Sequence, residues 1–283
     1  MVPYAIRPAV LGMIGICTDS NSQLPDALAQ RYGIEIVPVT VTVGEHDYLE
    51  GVDLDADQFY GLLAADPRPT VSTSHPSPGQ FAVAYEALLH RGCDEILSVH
   101  VTAPTSGTVN SARLATRSVN VPVRVVDSGT AGFGISCCVW AAAEAVAKGG
   151  DLETAAQVAE SMLSRIGAVF VVGQLDFIRT GEHAQRDGVP IMAMRGTDIE
   201  ILARVDTIEE AVDTMATAAL GWGTRLNVAV GLGDRTGEPL TDALAQSLGS
   251  AANVVEVVRY RIGPSIGAYV GLGTVGCFAF PTD

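Results

Sequence analysis

Short apolar runs alternate with amphipathic stretches through the first half of the chain. Met13 to Cys17 is an apolar run that ends at Thr18-Asp19-Ser20, the pattern of a buried strand. Pro25 to Tyr32 has helical spacing and is closed by Gly33, and Ile34 to Val43 is rich in β-branched residues that suit a strand. Asp55 is placed to cap a helix over residues 56–65, with Phe59, Leu62 and Leu63 on one face. Ser77 and Pro78 supply a cap and a first-turn residue for a helix that carries Phe81, Tyr85 and Leu88 and stops at Gly92. A strand over Ile96 to Val101, a helix over Gly107 to Arg117, a strand over Val123 to Val126 and a long helix over Ile135 to Lys148 follow. Such alternation predicts βαβ units and a parallel sheet.

After Gly149-Gly150 the rhythm changes. A helix capped by Asp151 leads into apolar strands over Ala168 to Val172, Val189 to Met194 and Ile199 to Val205. A helix over Ile208 to Leu220 precedes strands near Asn227 to Gly231 and Val254 to Arg261, and a glycine-rich strand ends at Phe280. Strands that follow one another this directly predict a mixed sheet with helices on one side. The expected organisation is therefore a tail over residues 1–12, a parallel-sheet α/β domain over 13–150 and a mixed-sheet α/β domain over 151–283.

Composition narrows the function classes. The 283 residues carry 17 Lys and Arg against 32 Asp and Glu, a net charge of −15, which excludes the basic footprint of a nucleic-acid binder and opposes anionic membranes. No apolar run reaches the roughly 18 residues of a membrane span, and Ile135 to Ala147, interrupted by Ser136 and Glu144, reads as a buried helix. Arg7 followed by Ala9 to Cys17 resembles a secretory leader, but the run is short, lacks an A-x-A site and meets Asp19 at once. Five cysteines, Cys17, Cys93, Cys137, Cys138 and Cys277, form no C-x-x-C pair and read as buried thiols of a cytoplasmic protein.

Several motifs fail on their context. Gly271-Leu-Gly273-Thr-Val-Gly276 fits the dinucleotide pattern, yet only seven residues follow it, too few for the phosphate-facing helix. Asp53, Asp55 and Asp57 imitate a calcium loop, but Gln58 and Ala64 stand where glycine and glutamate are needed. The histidines suggest no metal site, and no nucleophile elbow or acid pair appears. Neither a metal nor a cofactor is expected.

Four polar clusters fall where parallel strands are expected to end: Thr18-Asp19-Ser20, Thr73-Ser74-His75-Pro76-Ser77, Thr105-Ser106-Gly107-Thr108 and Asp127-Ser128. In open α/β sheets that edge is the ligand crevice. Hydroxyls at helix starts, joined by free backbone N–H groups, suit a small anion such as a carboxylate or phosphate. The same residues also serve as helix caps, and Asp19 and Asp127 read as turn-fixing carboxylates.

Taken in order, these motifs resemble the DegV family of bacterial fatty-acid-binding proteins. The resemblance runs through Asp19 to Pro25, Thr73 to Gly79, Gly92 to Leu97, Ser106 to Ala112, Asp127-Ser128, Leu175 to Gly181 and Ile262 to Gly267. It implies two domains with one long-chain fatty acid in a tunnel between them, and its carboxylate held by Thr73 and Ser106. Ser74, Gly107 and Thr108 would belong to the same ligand site, with Asp19, Ser20, Asp127, Ser128, His183 and Tyr269 in the head-group vicinity. It further implies no chemistry of its own, but presentation of the ligand to a separate ATP-dependent fatty acid kinase subunit serving phospholipid synthesis. An enzyme of phosphoryl or acyl transfer using the same crevice, or a lipid-sensing regulatory module, are the alternatives. Two positions depart from the family pattern: Glu182-His183-Ala184 stands in place of G-R-I, and Tyr269-Val-Gly-Leu272-Gly273 in place of a histidine followed by x-G-P-G. Both departures remove a basic side chain, which bears on kinase coupling more than on binding.

Overall fold

The structure is a computed structural model that describes residues 12–66, 70–172, 188–195 and 198–282. In chain order its first elements are β1 (Ile14–Asp19), α1 (Asp26–Tyr32), β2 (Glu35–Val37), β3 (Thr40–Val43), β4 (His46–Leu49), α2 (Ala56–Ala65), β5 (Val71–Ser74) and α3 (Pro78–His90). Then come β6 (Glu95–His100), α4 (Thr108–Ala115), β7 (Val123–Asp127), α5 (Phe133–Ala147), α6 (Leu152–Ser161) and β8 (Gly167–Val171). The remainder is β9 (Val189–Arg195), β10 (Asp198–Val205), α7 (Ile208–Leu220), β11 (Leu226–Leu232), α8 (Glu238–Gly249), β12 (Val254–Arg261), α9 (Pro264–Val270) and β13 (Val275–Pro281).

Strands β2-β1-β6-β7 form a parallel sheet in that order. Strands β10-β9-β8-β13-β11-β12 form a mixed sheet, antiparallel except for the β11–β12 pair. The α/β architecture with one parallel and one mixed sheet is the expected one. Helix caps also fall where the sequence places them. Asp55 and Ser77 each close a capping box, with Gln58 and Gln80 respectively, and Gly33 ends α1 with φ of 63°.

One expected strand divides. Ile34 to Val43 is interrupted at Pro38, which has no N–H for a ladder, so β2 joins the parallel sheet while β3 turns away. There it pairs with β4 and β5 in a small antiparallel sheet, order β4-β3-β5, that the sequence did not suggest. Thr73 lies in β5 opposite Val41. It therefore does not stand at the end of a parallel strand, contrary to expectation. The short helices α8 and α9 were also missed.

Helix α5 joins the sheets. From Phe133 to Trp140 every residue is buried, as befits a helix apolar on all sides. It packs on β1 and β6 of the parallel sheet and on β13 of the mixed one. Trp140 meets Phe280 edge-on at 5.3 Å, and Phe133 contacts Tyr260 at 4.2 Å and Phe278 at 5.8 Å between ring centroids. Burying each such ring contributes about 1.5–3 kcal/mol, so this seam holds the two sheets together. Helix α6 packs on β6 and β7. All five cysteines are buried and free, as read from the sequence. The tail over residues 1–11, and with it the leader question, lies outside the described residues.

Candidate functional site

Parallel register places His100 of β6 beside Asp127 of β7, with Asp19 at the end of neighbouring β1. One Asp19 oxygen accepts from Asn21 N at 3.1 Å, and the other from Val101 N at 3.2 Å and His100 Nδ1 at 2.9 Å. Asp127 accepts from Gly129 N and Ala103 N. Both carboxylates fix turns, in agreement with the sequence reading.

Sequence reasoning missed what His100 does. Its Nε2 lies 2.6 Å from Ser98 Oγ, and Ser98 Oγ lies 2.9 Å from the Tyr85 hydroxyl. Ser98 and His100 sit two apart on β6, so both point to one face, a spacing that could have revealed the pair. The resulting Asp19–His100–Ser98 connectivity matches that of an activated serine. All three side chains are fully buried, however, so no substrate reaches Ser98. The chain is a packed polar network whose partners satisfy one another.

A second buried network surrounds Glu50. Its carboxylate accepts from Ser20 Oγ at 2.5 Å, Ser265 N at 2.8 Å and Gln23 Nε2 at 3.3 Å. Gln23 adopts a left-handed conformation with φ of 58°, and its amide oxygen accepts from Gly263 N. Burial pushes the Glu50 carboxyl above its ordinary range, and the Ser20, Ser265 and Gln23 hydrogen bonds partly offset this. The turn after β1, the loop after β4 and the start of α9 are tied together here. Ser20 also accepts from Val39 N, so its hydroxyl is spent in this network. Ser128 is 2% exposed and hydrogen-bonds Thr130 on both its N–H and its carbonyl.

Thr73, Ser106 and Tyr269 are arranged differently. The His75 ring packs directly over Gly107, where a Cβ would fall 2.7 Å from the imidazole. Only glycine permits this approach, and it presses the loop after β5 against the loop that opens α4. From α9, the exposed Tyr269 brings its hydroxyl to 3.5 Å from Thr73 Oγ1. Ser106 Oγ lies 2.8 Å from Thr108 Oγ1 and accepts from Thr108 N. When the buried Thr108 hydroxyl donates to it, the Ser106 O–H is free to donate outward. Ser74 is exposed at the end of β5. Thr73 and Tyr269 thus share one contact, and the loop that follows Thr73 meets at Gly107 the loop that opens α4, whose N–H groups and positive dipole end favour an anion. Among the described residues neither Thr73 nor Ser106 hydrogen-bonds a histidine or carboxylate, although the His75 imidazole packs on Gly107 next to Ser106.

Described arginines line both clefts of this region. Arg261 pairs with Asp57 at 2.9 Å and donates to the carbonyls of Leu232 and Gly233. It borders a cleft of about 730 Å3 lined also by Glu50 and Arg259, which does not include Thr73 or Ser106. A smaller cleft of about 510 Å3 runs along the loop of Ser106 and Gly107 to Asn110 and Arg113. His183, Arg179 and the stretch from Leu175 to Gly181 lie outside the described residues. Among the described residues no cluster could hold a metal, and no helix is long and apolar enough to cross a membrane.

Comparison with known proteins matches residues 13–182 to the model of the DegV family, described as uncharacterised proteins. A DegV domain-containing protein of Streptomyces coelicolor is 31% identical over 273 residues, covering 93% of this chain and 96% of its own. One from Deinococcus radiodurans is 36% identical over 214 residues, 72% of this chain and 75% of that protein. Among solved structures, a DegV family protein from Thermus thermophilus, described by its fatty acid binding, superposes with a TM-score of 0.79 at 26% identity. It covers 95% of this chain and 100% of its own. DegV of Bacillus subtilis, described as a fatty acid binding protein, shares the fold with a TM-score of 0.77 at 23% identity, over 96% and 100% of the two chains.

Proposed function

The chain belongs to the DegV family, and from that premise we propose that it binds one long-chain fatty acid with the carboxylate at Thr73 and Ser106. Ser74, Gly107, Thr108 and Tyr269 complete the head-group end, and the acyl chain runs into the apolar seam beside α5. The observation that carries this reading is the meeting of the loops after β5 and before α4 at His75 and Gly107, beside accessible hydroxyls. The Thermus thermophilus neighbour, with its fatty acid binding, supports the ligand class. Two domains frame the ligand in this reading. The boundary expected at 150 precedes α6, but α6 packs on β6 and β7, so we place the second domain after Ser161.

The protein is, in this proposal, a cytoplasmic carrier that presents its ligand to a fatty acid kinase subunit and performs no chemistry itself. Tyr269 supplies a hydroxyl but no charge where the family carries histidine, which weakens presentation more than binding. Acyl-phosphate formation with a kinase subunit should rise in Tyr269→His; equal, full activity in both proteins refutes weakened presentation.

The ligand itself is tested by solvent extraction and mass spectrometry, followed by titration with saturated acids of eight to sixteen carbons. Each buried methylene contributes about 0.8 kcal/mol, so eight of them give at most about 6 kcal/mol across the series. Affinity should climb steeply with length. A flat series, or an empty protein that turns over ATP or an acyl ester, overturns the reading.

A further inference from the structure

The His75 ring is held in place without either of its nitrogens being used. Its Cε1, Nε2 and Nδ1 atoms lie 2.7, 2.8 and 3.0 Å from the Cβ position of Gly107, so the imidazole rests face-on over that glycine. Ring N–H bonds lie in the ring plane, and stacking of this kind leaves both nitrogens clear of the glycine. His75 is exposed, and among the described residues neither nitrogen has a hydrogen-bond or ion-pair partner. His100 is the contrast: it is fully buried and both of its nitrogens are bonded.

His75 follows Thr73 by two residues and covers the residue after Ser106, so its ring adjoins both positions assigned to the carboxylate. Of the elements that meet here, α9 contributes the titratable Tyr269, α4 contributes Arg113, and the small sheet contributes His46, Asp47 and Tyr48 of β4. None of these bonds the His75 ring, and Asp47 is engaged by Thr42. Arg113 sits in the last turn of α4, about 7 Å along its axis from the first residue. It is charged at every working pH. An imidazole ordinarily takes up its second proton near pH 6.5, whereas serine and threonine hydroxyls stay neutral. A carboxylate placed against such a ring favours the protonated form.

Resting on the fatty-acid reading, we propose that His75 selects for an ionised head group: its imidazole donates an N–H to the ligand carboxylate, and binding draws a proton from solvent onto the other ring nitrogen. The carboxylate stays ionised, no covalent bond changes, and an ester, which carries no charge, draws no proton. Calorimetric titration of dodecanoate and its methyl ester against wild type and His75→Gln, at pH 6 and at pH 8, tests this. Wild type should bind the acid about fivefold more tightly at pH 6 than at pH 8, and the ester equally at both. His75→Gln should lose most of that gain for the acid and bind the ester as wild type does. Comparing the two proteins cancels protonation of the free acid, which is common to both. Repeating the wild-type acid titration at pH 7 in buffers of different ionisation enthalpy should show uptake of a fraction of a proton. Neither Arg113 nor a ring that merely packs would produce that uptake. A pH dependence that survives in His75→Gln, a wild-type affinity unchanged between the two pH values, absent proton uptake, or equal weakening of acid and ester in the variant overturns the inference. Each of these leaves the fatty-acid reading standing. Failure of both ligands to bind either protein at either pH refutes both readings together.

Discussion

At the carboxyl edge of the parallel sheet, Asp19, Ser20, Asp127 and Ser128 have their polar atoms engaged by neighbouring backbone and side chains. Thr73 and Tyr269, by contrast, share only a contact of 3.5 Å, and Ser106 bonds Thr108 at 2.8 Å with its own O–H left to donate when Thr108 is the donor. By sequence Thr73 and Ser106 read like the first set, as hydroxyls in polar clusters at expected strand ends. What separates them is spent hydrogen-bonding capacity. A carboxylate already accepting two or three hydrogen bonds is scaffold, whereas an accessible hydroxyl with a free donor is available to an anion. The difference also explains why a serine–histidine–aspartate connection beneath the crevice is not an active site: it is satisfied and sealed.

The sharpest way to break this comparison is Asp19→Ala. It strips the buried His100 of its acceptor and leaves the N–H groups of Asn21 and Val101 unpaired. Removing one partner of a buried pair costs about 3–5 kcal/mol, so the urea midpoint should fall sharply. A loss below about 1 kcal/mol would mean that Asp19 is not scaffold, and the distinction between the two sets would collapse.

The opposite signature belongs to Thr73→Ala and Ser106→Ala. Each removes one hydroxyl donor to a carboxylate, worth about 1.5–3 kcal/mol of binding, while stability should stay within about 0.5 kcal/mol of wild type. Calorimetry with a fatty acid and its methyl ester separates the effects. Both variants should weaken the acid and leave the ester unchanged; equal weakening of both ligands places the carboxylate elsewhere.

Much of this was legible in the sequence because the signals are local. Asp55 and Ser77 announce their helices through caps, the strand–helix alternation through residue 148 announces the parallel sheet, and Asp19 and Asp127 announce turns. Non-local partnership was not legible. Nothing near Thr73 indicates that β5 pairs with β3 rather than with the parallel sheet, since the deciding event is the break at Pro38, more than thirty residues earlier. His75 over Gly107 and Tyr269 against Thr73 join residues 32 and 196 apart, and Glu50 meets Ser265 across 215. Such contacts are set by how layers stack and leave no periodic trace along the chain.

The smallest effect, and the finest test, concerns Glu50, which belongs to the engaged set yet carries a cost. Burial raises its carboxyl in the folded protein above the ordinary glutamate value of about 4.3. The folded state therefore binds the proton more tightly than the unfolded chain, and stability contributed by this group declines as pH rises from about 4.3 through the raised value, then levels off. Glutamine preserves an acceptor for Ser265 N and removes the titration, so Glu50→Gln should lack this decline and match or slightly exceed wild type at neutral pH. Asp57, held below its usual range by Arg261, works in the other direction, but it is exposed and its pair contributes little. Subtracting the variant's urea midpoints from those of wild type between pH 4 and 8 cancels that background. A difference that grows with pH in wild type's favour would show Glu50 stabilised as an anion, with its hydrogen bonds from Ser20, Gln23 and Ser265 outweighing burial.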